Sequence, residues 1–216
     1  SSSSWSWPWP SRPTAPSSFS SRASPSSSPG PEAAPGLDGR PFRAKTWGVD
    51  AFKRNLEKLA ELAIRVGLNL EKGQEVIATA PIEAVDFVRL LAEKAYREGA
   101  SLFTVIYGDQ ELARKRLALA PEEGLDKAPA WLYEGMARAF REGAARLAVS
   151  GSDPEALEGL PPEKVGRAQK ANARAYKPAL EAITEFVTNW TIVPFAHPGW
   201  ARAVFPGLPE EEAVRR

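Results

Sequence analysis

From residue 50 onward the chain switches repeatedly between a helical and an extended hydrophobic rhythm, and each switch predicts an element. Phe52, Leu56, Leu59, Ala60, Ala63 and Val66 recur on one helical face. They predict a helix over 50–66, with Asp50 as its N-cap and Gly67 as the residue that ends it. After the Lys72-Gly73 turn, EVIATA (75–80) predicts a short strand. Pro81 then opens a helix at its first position, with Val85, Val88, Ala92, Ala95 and Tyr96 turned inward and Gly99 as its stop. SLFTVIY (101–107) is a nearly continuous apolar run, the pattern of a strand covered on both faces in a parallel sheet.

The alternation continues to the end of the chain. Gly108-Asp109 leads into a helix over 110–119. A second helix over 129–141 turns Trp131, Leu132, Met136, Ala139 and Phe140 inward. RLAVS (146–150) predicts a third strand, and a long helix over 162–184 carries Pro178, which is expected to kink it. FVTNWTIVPF (186–195) predicts the fourth strand. Pro209 and Glu210–Glu212 suit a helix start, yet the chain ends at Arg216, which reads as a chain cut inside an element. Strands alternating with helices specify an α/β fold, a parallel-sheet βαβ (Rossmann-like) domain over 49–216.

Residues 1–48 behave differently. They hold fourteen serines and nine of the twenty prolines, with isolated aromatic residues that cannot assemble a core. A disordered leader is the expectation there. Five basic against two acidic side chains in the leader leave 49–216 at −2 within a total of +1. A near-neutral domain gives no electrostatic reason to expect a nucleic-acid partner. No apolar stretch is long enough for a membrane helix, and the first 30 residues lack the apolar h-region of a signal peptide. The absence of cysteine excludes disulfides and thiolate metal sites and suits a reducing cytoplasm.

Several stretches were candidates for chemistry. The turn after the first strand, Thr79-Ala-Pro-Ile-Glu83, lacks the glycines of a dinucleotide or phosphate loop. Ser150-Gly-Ser-Asp-Pro154 follows the third strand, where α/β ligands bind; an anion site there competes with plain capping by Ser152 or Asp153, and capping is favoured. Lys164, Arg167, Lys170, Arg174 and Lys177 share one arc of the long helix. They form a possible anion-binding face, on which an alternative reading of the chain as a stand-alone α/β binding module rests. The competing reading is a solvated face partly neutralised by Glu163 and Glu181. His197, the one histidine, stands in VPFAHPGW. One histidine builds neither a His pair for a metal nor, without a Gly-x-Ser-x-Gly elbow, a serine triad. A structural role at a strand-to-helix turn is expected.

DAFKRNLEKLAELAIRVGLNLEKGQEVIATAPIEAVDFVRLLAEKAYREGA, SLFTVIYGD and FVTNWTIVPFAHPGWARAVFPG closely resemble the N-terminal part of the thermophilic aminopeptidase T family, metallo-aminopeptidases that include aminopeptidase S and PepS. The resemblance spans 49–216. It implies removal of N-terminal residues from peptide substrates by a pair of divalent metal ions (such as zinc, cobalt or magnesium), in a cytoplasmic homodimer. It also implies that the metal ligands lie in a C-terminal domain beyond Arg216. No catalytic or metal-binding residue and no cofactor is then expected in this chain, which would be inactive alone, and His197 is not a ligand. The family begins with methionine where this chain has Val49, which implies that 1–48 is upstream sequence rather than native protein.

Overall fold

The computed structural model describes residues 51–216; the Ser/Pro-rich leader and the expected N-cap Asp50 fall outside the described residues. The elements run α1 (Ala51–Leu62), β1 (Glu75–Pro81), α2 (Val85–Arg97), β2 (Leu102–Gly108), α3 (Gln110–Leu119), α4 (Glu122–Leu125) and α5 (Ala130–Arg141). They continue with β3 (Ala145–Ser150), α6 (Pro162–Thr184), β4 (Trp190–Pro194), α7 (Pro198–Val204) and α8 (Glu210–Arg215). All strand pairs are parallel, in the order β2-β1-β3-β4.

Period-two alternation assigns the two faces of the sheet. Val76, Ala78 and Ala80 of β1 point to one side with Leu147, Val149 and Val193, where Ala60, Ile64, Phe87, Val88 and Leu91 from α1, its terminal turn and α2 close the larger core. Ile77, Ile106 and Trp190 point the other way, against Met136, Ala137 and Phe140 of α5 and Ala179, Ala182 and Ile183 of α6. Helices therefore cover both faces. The chain leaves β1 toward β2 on one side, and reaches β3 and β4 on the other, so the order reverses between β1 and β3. At the opposite, N-terminal ends of the strands, the amides of Gln74 and Asn189 bond each other, and Asn189 also donates to the Leu68 carbonyl at 2.7 Å.

Four expectations are corrected by the structure. First, α1 ends at Leu62 in a π-helical turn over Ala63–Gly67, which shifts the phase by a residue and leaves Val66 68% exposed while Leu68 is buried. Gly67 is not the left-handed terminator; Asn69 takes that conformation (φ 49). A Cβ on Gly67 would lie 2.7 Å from Thr191 Oγ1, so the glycine lets the end of α1 close on β4. Second, Pro81 ends β1, and a 3-10 turn over Ile82–Ala84 intervenes before α2. This rotates the buried face onto Phe87, Val88, Leu91 and Ala95 and leaves Tyr96 exposed.

Third, the apolar run of β2 packs on both faces, yet it is an edge strand, so its side chains are at most half-buried. Fourth, the fourth strand is half its expected length. Phe186 takes a left-handed conformation (φ 55), and the N–H groups of Glu185, Phe186 and Val187 return to the carbonyls of Glu181, Ile183 and Ala182. A 23-residue helix leaves its last carbonyls without intrahelical partners, and satisfying them takes precedence over the β propensity of Phe186-Val187-Thr188. Trp131 also departs from expectation: it is 75% exposed, although α5 spans nearly the predicted residues.

Candidate functional site

Where the strand order reverses, the C-terminal ends of the strands diverge and leave a crevice, the usual ligand position in open α/β sheets. Here it is an open cleft of about 740 Å³. Its base is Thr79–Pro81, Ile106–Gly108 and Val149–Ser152 at the ends of β1, β2 and β3; α5 and α6 supply one wall through Leu132, Tyr133, Met136, Asn172 and Tyr176. The Tyr133 hydroxyl donates to Asn172 Oδ1 at 2.7 Å, and the Tyr133 and Tyr176 rings meet edge to face at 5.3 Å. Arg146 also lines the cleft. It points toward the α5/α6 face because it alternates with the buried Ala145 and Leu147. Its Nε is buried and makes no hydrogen bond.

The loop after β3 forms one rim and is tied down on every side. Gln110 Oε1 accepts from the Asp153 N–H at 2.9 Å. Asp153 Oδ1 accepts from the Glu155 N–H at 2.9 Å, and Oδ2 pairs with Arg202 at 3.1 Å. Asp153 therefore caps a turn, while the next helix begins only at Pro162. Ser152 lines the cleft. On the other rim, Asp109 caps α3 by accepting the Leu112 N–H at 3.0 Å.

His197 does not reach the cleft. It is 5% exposed and caps α7, its Nδ1 accepting the Gly199 N–H at 3.1 Å. That bond places the ring proton on Nε2, which lies 3.4 Å from Glu83 Oε2 in electrostatic contact without a hydrogen bond. Neither nitrogen keeps a lone pair for a metal. Among the described residues, no group of three or more His, Cys, Asp or Glu is arranged to hold a metal ion, and no helix is long and apolar enough to cross a membrane.

The five cations of α6 lie away from the cleft, and three are engaged in ion pairs. Lys164 pairs with Glu122 at 3.2 Å, Arg167 with both Glu122 and Asp126, and Lys177 with Glu181 at 3.5 Å. Lys170 and Arg174 make no ion pair among the described residues; Arg174 contributes a longer-range attraction to Asp126. The partners of Arg167 come from α4, a four-residue helix without a mark in the sequence pattern, and from its C-cap Asp126.

This clamp has a pH signature. Hydrogen bonding from Lys164 holds the Glu122 carboxyl below its ordinary value of 4.5, and hydrogen bonding from Arg167 holds Asp126 below its ordinary 3.8. Depressed folded-state values stabilise the clamp above those ordinary values and lose that effect as pH falls through the depressed ones. Amide protection in α4 should hold from neutral pH to about pH 5 and decline below pH 4. Arg167→Gln should lower the protection at neutral pH and flatten its pH dependence. Both carboxylates are exposed, so added salt should shrink the effect.

Residues 52–216 match the family model described as Thermophilic metalloprotease (M29). Aminopeptidase T of Thermus thermophilus is 99% identical over 168 residues, which cover 78% of this chain and 41% of that relative. Aminopeptidase T of Thermus aquaticus is 82% identical over the same length, and aminopeptidase AmpS of Bacillus subtilis is 38% identical over 166 residues. The solved structure of wild-type AmpT from Thermus thermophilus superimposes with a TM-score of 0.75 at 99% identity, covering 77% of this chain and 42% of that one. The chain thus spans about two fifths of the length of the curated relatives it matches. On a match that runs through every described element from α1 to α8, the chain belongs to the M29 thermophilic metalloprotease family.

Proposed function

We propose that this chain is the N-terminal α/β part of a metal-dependent aminopeptidase that removes N-terminal residues from peptides. The observation that carries the reading is the 99% identity over 168 residues to a protein named aminopeptidase T. In this reading the whole enzyme uses two divalent ions (such as zinc, cobalt or magnesium), works as a homodimer and resides in the cytoplasm, and 1–48 is upstream sequence.

The metal centre implied by a metalloprotease does not fit residues 51–216. The sole histidine is buried, its Nδ1 accepting the Gly199 N–H and its Nε2 facing Glu83, and the described residues offer no convergent acidic or histidine cluster. No hydrolytic step is assigned to them. The competing reading, a stand-alone module binding an anion through Lys164, Arg167, Lys170, Arg174 and Lys177, is weakened because Lys164, Arg167 and Lys177 already have acidic partners.

A chimera tests the proposal. Residues 49–216 replace the matching segment of the Thermus thermophilus relative, and aminoacyl-amide hydrolysis is measured with and without chelator. Metal-dependent turnover is expected from the chimera. The 216-residue chain alone should give none above background and should show no tight binding of zinc, cobalt or magnesium by calorimetry. An inactive but folded chimera would overturn the assignment. Micromolar metal affinity lost in His197→Ala would overturn the placement of the metal centre outside this chain.

A further inference from the structure

The cleft between β1 and β3 contains a feature that neither the fold nor the proposed peptidase reading uses. Arg146 is a permanent cation placed within a strand, between Ala145 and Leu147, both fully buried. Its Nε is shielded from solvent and has no hydrogen-bond partner. No carboxylate pairs with it among the described residues, although the other buried or half-buried charges of this region do find partners, such as Asp153 with Arg202. A guanidinium partly withdrawn from water without a counter-ion destabilises the fold that holds it. Its side chain lines the open cleft where the strand order reverses, the usual ligand position in open α/β sheets.

We propose that this cleft is a binding site for a small organic carboxylate, with Arg146 as its fixed counter-ion. The surroundings fit that chemistry. The Tyr133 hydroxyl is hydrogen-bonded to Asn172 Oδ1, and the Asn172 amide, with both donor and acceptor atoms, lines the same wall of the cleft. Ile106, Leu132 and Met136 provide an apolar surface for the body of the ligand. The one carboxylate in the lining, Asp109, is held at the rim by its cap on α3.

A phosphate fits less well. The turn after β1, Thr79-Ala-Pro-Ile-Glu83, has no glycine to bring amides close, and Pro81 has no N–H to give. A single guanidinium matches a monoanion and binds its two oxygens side by side. The class of ligand is therefore an α-carboxylate on an apolar body, the chemistry shared by a free amino acid and the C-terminus of a short peptide.

The test uses the 216-residue chain in metal-free buffer, so that its outcome is independent of any hydrolytic activity. Leucine, the tripeptide Leu-Gly-Leu, the same tripeptide as its C-terminal amide, and inorganic phosphate are each titrated while amide chemical shifts are followed. At least one of the two carboxylates should bind, with shifts centred on Thr79, Arg146 and Asn172. The C-terminal amide, which lacks the carboxylate, should bind at least about tenfold more weakly. Preference for the tripeptide over leucine would identify a peptide terminus as the ligand, and the reverse a free amino acid.

Arg146→Gln should reduce carboxylate affinity by about tenfold or more and leave the amide unaffected, with Arg146→Lys intermediate. In the absence of ligand, Arg146→Met should melt at or above the temperature of the parent, because it removes an unpaired charge. Equal binding of acid and amide, absence of binding, or tighter binding of phosphate would overturn the proposal. So would a marked fall in the melting temperature of Arg146→Met, which would make the arginine a structural element.

Discussion

Alanine at Gly199 is expected to destabilise the domain by about 2–3 kcal/mol, a large effect for the addition of one methyl group. A Cβ at that position would lie 2.2 Å from Asp153 Cγ and 2.5 Å from Asp153 Cβ, well inside van der Waals contact. Asp153 cannot move aside cheaply. Its backbone N–H is held by Gln110, one carboxylate oxygen caps the Glu155 amide and the other pairs with Arg202. The alternative adjustment, displacement of α7, would break the bond from the Gly199 N–H to His197 and move a buried imidazole. Gly151 stands in the same junction, where a Cβ would come within 2.6 Å of the Phe195 carbonyl oxygen.

Denaturant unfolding of Gly199→Ala, Asp153→Gly and the double variant isolates this packing. The double variant should be more stable than the sum of the two single effects by at least about 1 kcal/mol, because Asp153→Gly removes the atoms that the new methyl meets. Strict additivity would mean that the two residues do not touch and that the junction is packed differently.

That junction also shows how much of the molecule could be read from its sequence. VPFAHPGW is an unusual string, and a single histidine in it argues for a structural role over a His-pair metal site. The positive role of the ring, a helix cap with Glu83 behind it, depends on the turn after β1 meeting a segment more than a hundred residues later, and local pattern carries no such information. The layered α/β architecture was legible because it follows from period: two-residue alternation in β1, a short apolar run in β3, and three-to-four-residue recurrence in α2 and α6. Element ends were less legible. The π turn after α1 and the 3-10 turn before α2 each change the helical phase, and neither has a compositional mark.

The cleft has a mark in the sequence. A cation inside RLAVS, in a strand of a sheet covered on both faces, conflicts with its hydrophobic setting, and such local conflicts are where functional residues are expected. The α6 cations were conspicuous for the opposite reason. They form a regular stripe, but α4 could not be foreseen, and it and its C-cap supply Glu122 and Asp126 from more than forty residues upstream of Arg167.

The phase of α5 gives the second large effect. Pattern alone turns both Trp131 and Phe140 inward, whereas the structure buries only Phe140, at 0% exposure against 75% for Trp131. The two lie nine positions apart on one helix, half a turn out of phase with an integral number of turns, so a single stripe cannot contain both. Phe140 is the larger anchor of the α5/α6 layer, packed with Met136, Ala137, Ala179, Ala182 and Ile183. Three of those neighbours are alanines, which have no side-chain freedom to fill a void. Phe140→Ala should therefore cost about 3–5 kcal/mol and loosen the wall of the cleft formed by Tyr133 and Tyr176. Trp131→Ala should stay within about 0.5 kcal/mol of the parent. Chemical unfolding of the two variants decides between the two phases. Comparable losses, or a larger loss at Trp131, would mean that α5 is rotated from the orientation described and that the cleft has a different wall.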